Sequence, residues 1–289
     1  MIDQSDMSPA WTNQLLKFKP SLLEWTPNHP PPMIYQPKAT DEKVSREVAF
    51  RINAIRETFE ETGILLTLDD KIQDFDPEWR TRVHNKPSEF LALCQYLNTC
   101  PDIWCLNEWT DWLTPLHLKE KSRFDTIFYI ACRDFIDKST ASEENKEVTE
   151  IQFLQPMEAL KLHSEEKIWL APPQFYELSR LASFLNYEDL KNFSCNRAKN
   201  HGVQIWFPLA VMCSNGSVAL YPGDDWYPPS PNFDGQNGPI SLNKKDLTIE
   251  QFSEMSEKRN RTEMKSLHKT TINCNIVDLC GHRHPIKSI

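Results

Sequence analysis

One segment of the 289-residue chain concentrates side chains suited to chemistry: Arg56-Glu57-Thr58-Phe59-Glu60-Glu61-Thr62-Gly63. From Ser45 to Thr62 the apolar residues Val48, Ile52, Ile55 and Phe59 recur at helical intervals, and at about 100° per residue they fall within roughly 60° of one another. Glu57, Glu60 and Glu61 then cluster on the opposite side. One face packs, the other presents three carboxylates, and Gly63 supplies a helix stop. Like charges three and four residues apart destabilise a helix by about 0.2–0.5 kcal/mol per pair, a cost that a divalent cation reverses. Hard oxygen ligands on one rigid helix suit Mg²⁺ or Mn²⁺, which keeps positions open for substrate phosphate. Such an ion screens a diphosphate and acidifies bound water for attack on phosphorus. Arg56 would fix a glutamate or contact phosphate. The plainer alternative is a solvated Glu/Arg helix with a glycine cap.

The rest of the chain sets bounds on what that helix serves. Hydrophobic residues make up 39% of the sequence, enough for a proper core. The balance of 32 Lys+Arg against 41 Asp+Glu, net −9, repels nucleic-acid backbones and anionic lipid, so a nucleic-acid partner is not expected beyond a nucleotide-capped RNA end. No apolar run approaches membrane-spanning length, and Met1–Asp6 lacks the basic and apolar regions of a secretory signal. The expectation is a non-secreted protein without membrane insertion, whose eight scattered cysteines are reduced and mostly buried.

The elements that must position the acidic helix follow from periodicity and punctuation. Met7 to Thr40, with its proline cluster from Pro27 to Pro37, reads as an insertion or linker. Ile64–Leu68 reads as a strand, segments around Glu78–Val83 and Ser88–Leu97 as helices, and Trp109–Leu113 and Phe124–Cys132 as strands. Lys138–Lys146 reads as a charged loop, Val148–Leu154 as a strand, Pro156–Leu162 as a helix, and Pro172 to Leu185 as another. Trp206–Cys213 and Val218–Tyr221 flank Ser214-Asn215-Gly216-Ser217, a hairpin signal. One polar helix near Thr248–Arg259 and a tail complete the chain.

The octet R-E-x-x-E-E-x-G resembles the second half of the Nudix box, the signature of MutT/Nudix hydrolases. The complete box carries G-x5-E-x7 before the arginine; in that register this chain has Glu42 and Val48. Three further segments are similar to the acyl-coenzyme A diphosphatase branch (nucleoside diphosphate-linked moiety X motif 19 type), whose box is split by an insertion: Asp102-Ile103-Trp104 through Trp112-Leu113-Thr114-Pro115, Arg123-Phe124-Asp125-Thr126, and Ile168 through Glu177. Met1–Asp6 resembles the residues just after the first box glycine, which makes Met7 to Thr40 the insertion.

The resemblance implies an α+β fold, a Nudix-type α/β/α sandwich with a mixed sheet and insertions, lacking its first strands. It implies a Nudix domain over 1–187, split by an insertion at 7–44, and a C-terminal extension over 188–289 with the hairpin near 206–221. Glu57, Glu60 and Glu61 would be metal ligands, Glu147 an additional ligand or the base, and the substrate coenzyme A, acyl-coenzyme A or a related dinucleotide. By the same likeness the location is peroxisome or mitochondrion; the chain itself shows no targeting signal, which would leave it cytoplasmic if complete. A catalytically silent Nudix-like binding module is the competing expectation.

Arg123 and Asp125 are candidates for orienting substrate, with a strand-edge ion pair as the structural alternative. Trp104, Trp109 and Trp112 are expected in the core rather than as a stacking platform. Asp224-Asp225 is expected to be a solvated bend. Cys274, Cys280, His282 and His284 fit no usual zinc spacing.

Overall fold

The apolar stripe of Val48, Ile52, Ile55 and Phe59 is buried on one side of helix α2 (Arg46–Thr62) in the computed structural model. The structure describes residues 6, 8–18, 46–68, 75–116, 123–134, 151–235, 241–277 and 279–287. The chain divides into two units, Met1–Asn107 with Ile130–Phe153, and Glu108–Tyr129 with Leu154–Ile289. It combines helices with mixed sheets, the α+β class expected.

In the first unit, α1 (Ala10–Phe18) lies inside the stretch that reads as an insertion, and it is amphipathic: Trp11, Gln14 and Leu15 are buried. The Trp11 ring lies 5.7 Å from Phe90 of α4 (Glu89–Tyr96), and Phe90 lies 6.2 Å from Phe59, so α1, α2 and α4 share one core. Helix α3 (Glu78–Asn85) precedes α4 and buries Arg80 and Val83. Ile64–Leu68 does not form the expected strand. Thr67 makes one isolated antiparallel bridge to Pro101, carried by the bonds from Leu68 N to Cys100 O at 3.3 Å and from Asp102 N to Leu66 O at 3.1 Å. The proline cluster at Pro27–Pro37, the loop at Lys138–Lys146, residues 148–150 and Glu147 lie outside the described residues; Ile151–Leu154, the described part of another expected strand, is irregular.

Most of a three-stranded sheet falls in the second unit, in the order β2 (Asp125–Ala131), β1 (Leu106–Leu113), β3 (Ile205–Trp206). Parallel pairing sets Trp112 beside Trp206, and these rings pack with Tyr176 and Tyr221 at centroid distances of 5.1–6.1 Å. Trp109 and Trp112 are core residues, as expected. Helices α5 (Pro156–Ser164), α6 (Pro172–Leu181) and α7 (Tyr187–His201) follow. Helix α6 stops short of Leu185 because the chain turns to let the Asn186 side chain accept from Asp189 N at 2.8 Å, capping α7.

The expected hairpin is β4 (Leu209–Cys213) and β5 (Gly216–Leu220), with Ser214 and Asn215 as its two turn residues. A Cβ on Gly216 would come within 2.3 Å of the Met264 carbonyl, so only glycine fits there. The expected polar helix is shorter, α8 (Ile249–Glu254), and what reads as a tail is β7 (Asn260–Met264) and β8 (Thr270–Cys274). With β6 (Ser241–Lys244) they complete a sheet in the order β6-β4-β5-β7-β8. Nor is Asp224 in a solvated bend. It is 4% exposed and accepts two 2.7 Å bonds from the Arg261 guanidinium, a third from Asn260 N and a fourth from Trp226 N.

Candidate functional site

The side chains of α2 that face away from its apolar stripe are organised around Arg56. This guanidinium, 3% exposed, donates to both carboxylate oxygens of Asp6 (3.2 and 3.1 Å), to Asn53 Oδ1 (2.8 Å), to Glu57 Oε1 (3.0 Å) and to Glu60 Oε1. Burial alone would lower its pKa; the hydrogen bonds and charges of Asp6 and Glu60 outweigh burial and raise it. Arg56 is therefore a fixed cation that orients carboxylates, its donors spent inside the protein.

The three glutamates differ in what they can offer. Glu60 is buried, with Oε1 on Arg56 and Oε2 3.4 Å from His84 Nδ1. Glu57 is half-buried and shares one oxygen with Arg56, while Glu61 is exposed. Glu57 and Glu61 stand one turn apart on the same flank, where side chains four residues apart are neighbours. The last turn of α2 contains no basic residue, so these acids sit at the negative end of the helix dipole. Gly63, at φ 76°, closes the helix by donating to Phe59 O at 2.8 Å.

Among the described residues no three His, Cys, Asp or Glu side chains converge on one point. The face therefore offers two carboxylates, Glu57 and Glu61, that reach solvent, in place of a closed cage. That arrangement fits Mg²⁺ or Mn²⁺, since a small hard cation retains several waters and is bound through one or two carboxylates plus substrate phosphates.

Asp6 escaped sequence reasoning, although a signal existed. Met1–Asp6 resembles the residues that follow the first box glycine, and the box's acid comes after five residues, the position Asp6 takes; 50 residues separate it from Arg56. Arg123 and Asp125 belong to the second unit. Arg123 donates to the Thr114 and Phe233 carbonyls at 3.0 and 2.7 Å, bracing a turn, and Asp125 is exposed at the start of β2. Of the cysteine and histidine set near the C-terminus, Cys274 Sγ lies 3.8 Å from His284 Nδ1, and His282 is buried against the Trp109 carbonyl.

Residues 1–181 match the family model of the NUDT19 Nudix domain, and residues 210–275 match that of the NUDT19 C-terminal domain. The chain belongs to the NUDT19 family of Nudix hydrolases. It is 35% identical over 308 residues to the acyl-coenzyme A diphosphatase NUDT19 of Xenopus laevis, covering 99% of this chain and 80% of that one. It is 35% identical over 313 residues to the protein of the same name from Gallus gallus, with 99% and 82% covered. The Homo sapiens protein of that name is 39% identical over 196 residues, 63% of this chain and 51% of its own. No solved structure matches. Family membership places the Arg56–Gly63 octet within the matched Nudix domain and the β4–β8 sheet largely within the matched C-terminal domain, the hairpin of β4 and β5 included.

Proposed function

We propose that this chain hydrolyses the diphosphate bond of coenzyme A or acyl-coenzyme A, releasing adenosine 3',5'-bisphosphate and 4'-phosphopantetheine or its acylated form. The observation that carries this reading is the half-buried Glu57, held by an arginine whose charge is already committed, with the exposed Glu61 one turn farther along the same helix. The names of the Xenopus laevis, Gallus gallus and Homo sapiens relatives, acyl-coenzyme A diphosphatases, support the substrate class.

In this reading Glu57 and Glu61 hold Mg²⁺ or Mn²⁺, with Glu147 as a further ligand or the base. When bound, the ion supplies Lewis-acid stabilisation of phosphate charge and a nucleophilic water at neutral pH. Arg56 fixes the Glu57 rotamer through its 3.0 Å bond, and Asp6 keeps the guanidinium from swinging outward. Glu60 anchors Arg56 and enters the metal shell only by giving up Arg56 or His84. Glu57 and Glu61 thus become the direct ligands and Glu60 an orienting group.

The test is incubation of the full chain with coenzyme A in Mg²⁺ or Mn²⁺ and in EDTA, with separation of the nucleotide products. Metal-dependent release of adenosine 3',5'-bisphosphate that is lost in Glu57→Gln and Glu61→Gln is the expected result. A folded protein that turns over neither coenzyme A nor its acyl esters in either metal refutes the assignment and favours a silent binding module.

A further inference from the structure

A helix leaves its last four carbonyls without partners in its own ladder. In α2, Gly63 N satisfies Phe59 O, and two of the remaining carbonyls are satisfied from outside the helix. Arg80 of α3, itself 8% exposed, donates from Nε to Glu60 O at 2.8 Å and from Nη2 to Glu61 O at 2.6 Å. One planar guanidinium thus grips two consecutive peptide carbonyls, and these belong to the residues whose side chains form the acidic face. His84, one turn along α3, reaches the Glu60 carboxylate from the same helix. No residue of α2 supplies a basic C-terminal cap; Thr62 Oγ1 on Thr58 O and Gly63 N on Phe59 O close the last turn locally, and Arg80 is the group that satisfies the Glu60 and Glu61 carbonyls.

We propose that Arg80 is a positioning residue for the metal site: its bidentate grip on the Glu60 and Glu61 carbonyls holds the last turn of α2 in the register that sets Glu61 beside Glu57. This rests on the reading of Glu57 and Glu61 as metal ligands. Arg80 touches neither metal nor substrate and acts through the backbone of the ligand residues. The guanidinium fork is what the geometry requires, because two carbonyls on successive residues need two donors in one plane. A lysine keeps the charge and presents a single point of contact.

Charge and geometry act here in opposite directions, which makes the role measurable. Removing a positive charge near a cation site tightens cation binding, whereas loosening the ligands weakens it. The experiment is titration of the full chain with Mn²⁺, reading free Mn²⁺ by electron paramagnetic resonance, for wild type, Arg80→Lys and Arg80→Gln. Circular dichroism and a denaturation midpoint are recorded for each. Both variants are expected to bind Mn²⁺ roughly tenfold more weakly, the scale of outer-shell substitutions, with Arg80→Lys retaining the wild-type spectrum. Wild-type affinity in Arg80→Lys, with equal or tighter binding in Arg80→Gln, would overturn the proposal and leave Arg80 as a distant charge. Should Arg80→Gln fail to fold, Arg80→Lys decides alone. Wild type that binds no Mn²⁺, or binds it equally in Glu57→Gln and Glu61→Gln, defeats the metal reading and this inference with it; wild-type binding unaffected by Arg80→Lys defeats the inference only.

Discussion

Each unit of this protein buries an arginine among carboxylates, and the two arrangements differ in their balance. In the second unit Asp224 and Arg261 are both fully buried as side chains and paired through two bonds of 2.7 Å, and the remaining capacity of Asp224 is taken by two backbone N–H groups. One charge meets one opposite charge. In the first unit a single Arg56 faces Asp6, Glu57 and Glu60, and Glu61 adds another acid on the same helix end. A closed pair fixes a turn to a strand; an acid excess around a committed cation is a place where a further cation gains free energy. Burial of charge by itself therefore does not mark a functional site; in the proposed reading the surplus of one sign does.

The largest effect expected from this contrast is in stability. Arg261→Met leaves Asp224 buried without its counter-charge, and breaking one side of a buried pair costs about 3–5 kcal/mol, read as a fall in the denaturation midpoint with an unchanged slope. If Arg261→Met unfolds near the wild-type concentration of denaturant, the pair is not the closed structural unit described.

Glu61→Gln tests the other side. Neutralising one ligand of the proposed site lowers turnover by on the order of 10²-fold, equivalent to about 3 kcal/mol of activation free energy. Mn²⁺ should raise the melting temperature of wild type, because an ion that binds only the folded state stabilises it, and should do so much less for Glu61→Gln. The comparison is broken if Glu61→Gln retains wild-type activity and the wild-type response to Mn²⁺.

The parts of this architecture legible in the sequence are those with local periodicity. Helix α2 announces itself through Val48, Ile52, Ile55 and Phe59, and the β4–β5 hairpin through a glycine-containing turn between apolar runs. Helix α7 was hidden because its buried residues are Ser194, Arg197 and Ala198, not an apolar stripe; Arg197 earns its place by donating to the Glu108 and Gly202 carbonyls at 3.1 and 3.0 Å. Strands β7 and β8 were hidden for the same reason. Their inward positions include polar residues satisfied across the sheet, such as Thr262 with the Tyr221 hydroxyl at 2.8 Å. At the site, the carboxylates were legible and their supports were not. Asp6 meets Arg56 across 50 residues and Arg80 meets Glu60 across 20, and pairings of that range leave no local pattern.

The effect that is smallest per pH unit, though it accumulates over the range, concerns Asp111 on β1, a buried acid of the second unit with no basic partner among the described residues. It is fully buried, and the group that bears on its carboxylate is another acid, Asp125. Burial first, and then the neighbouring Asp125 carboxylate, push its pKa up to about 8 from an ordinary 3.8. The folded state thus holds a proton that the unfolded chain releases near pH 4. Stability from this group is complete below the unfolded value and drains as pH rises toward about 8, with a slope of at most about 1.4 kcal/mol per pH unit. Asp111→Asn mimics the protonated form and cannot release the proton. Its stability relative to wild type should therefore be near parity at pH 4 and grow through neutral pH, levelling above pH 8, when both are followed by denaturation in a pH series. Parallel profiles for the two proteins would show that Asp111 is ionised in the fold. It would then be a buried charge without a counter-charge in the unit that also holds the closed Asp224–Arg261 pair, and the contrast between the two units would narrow.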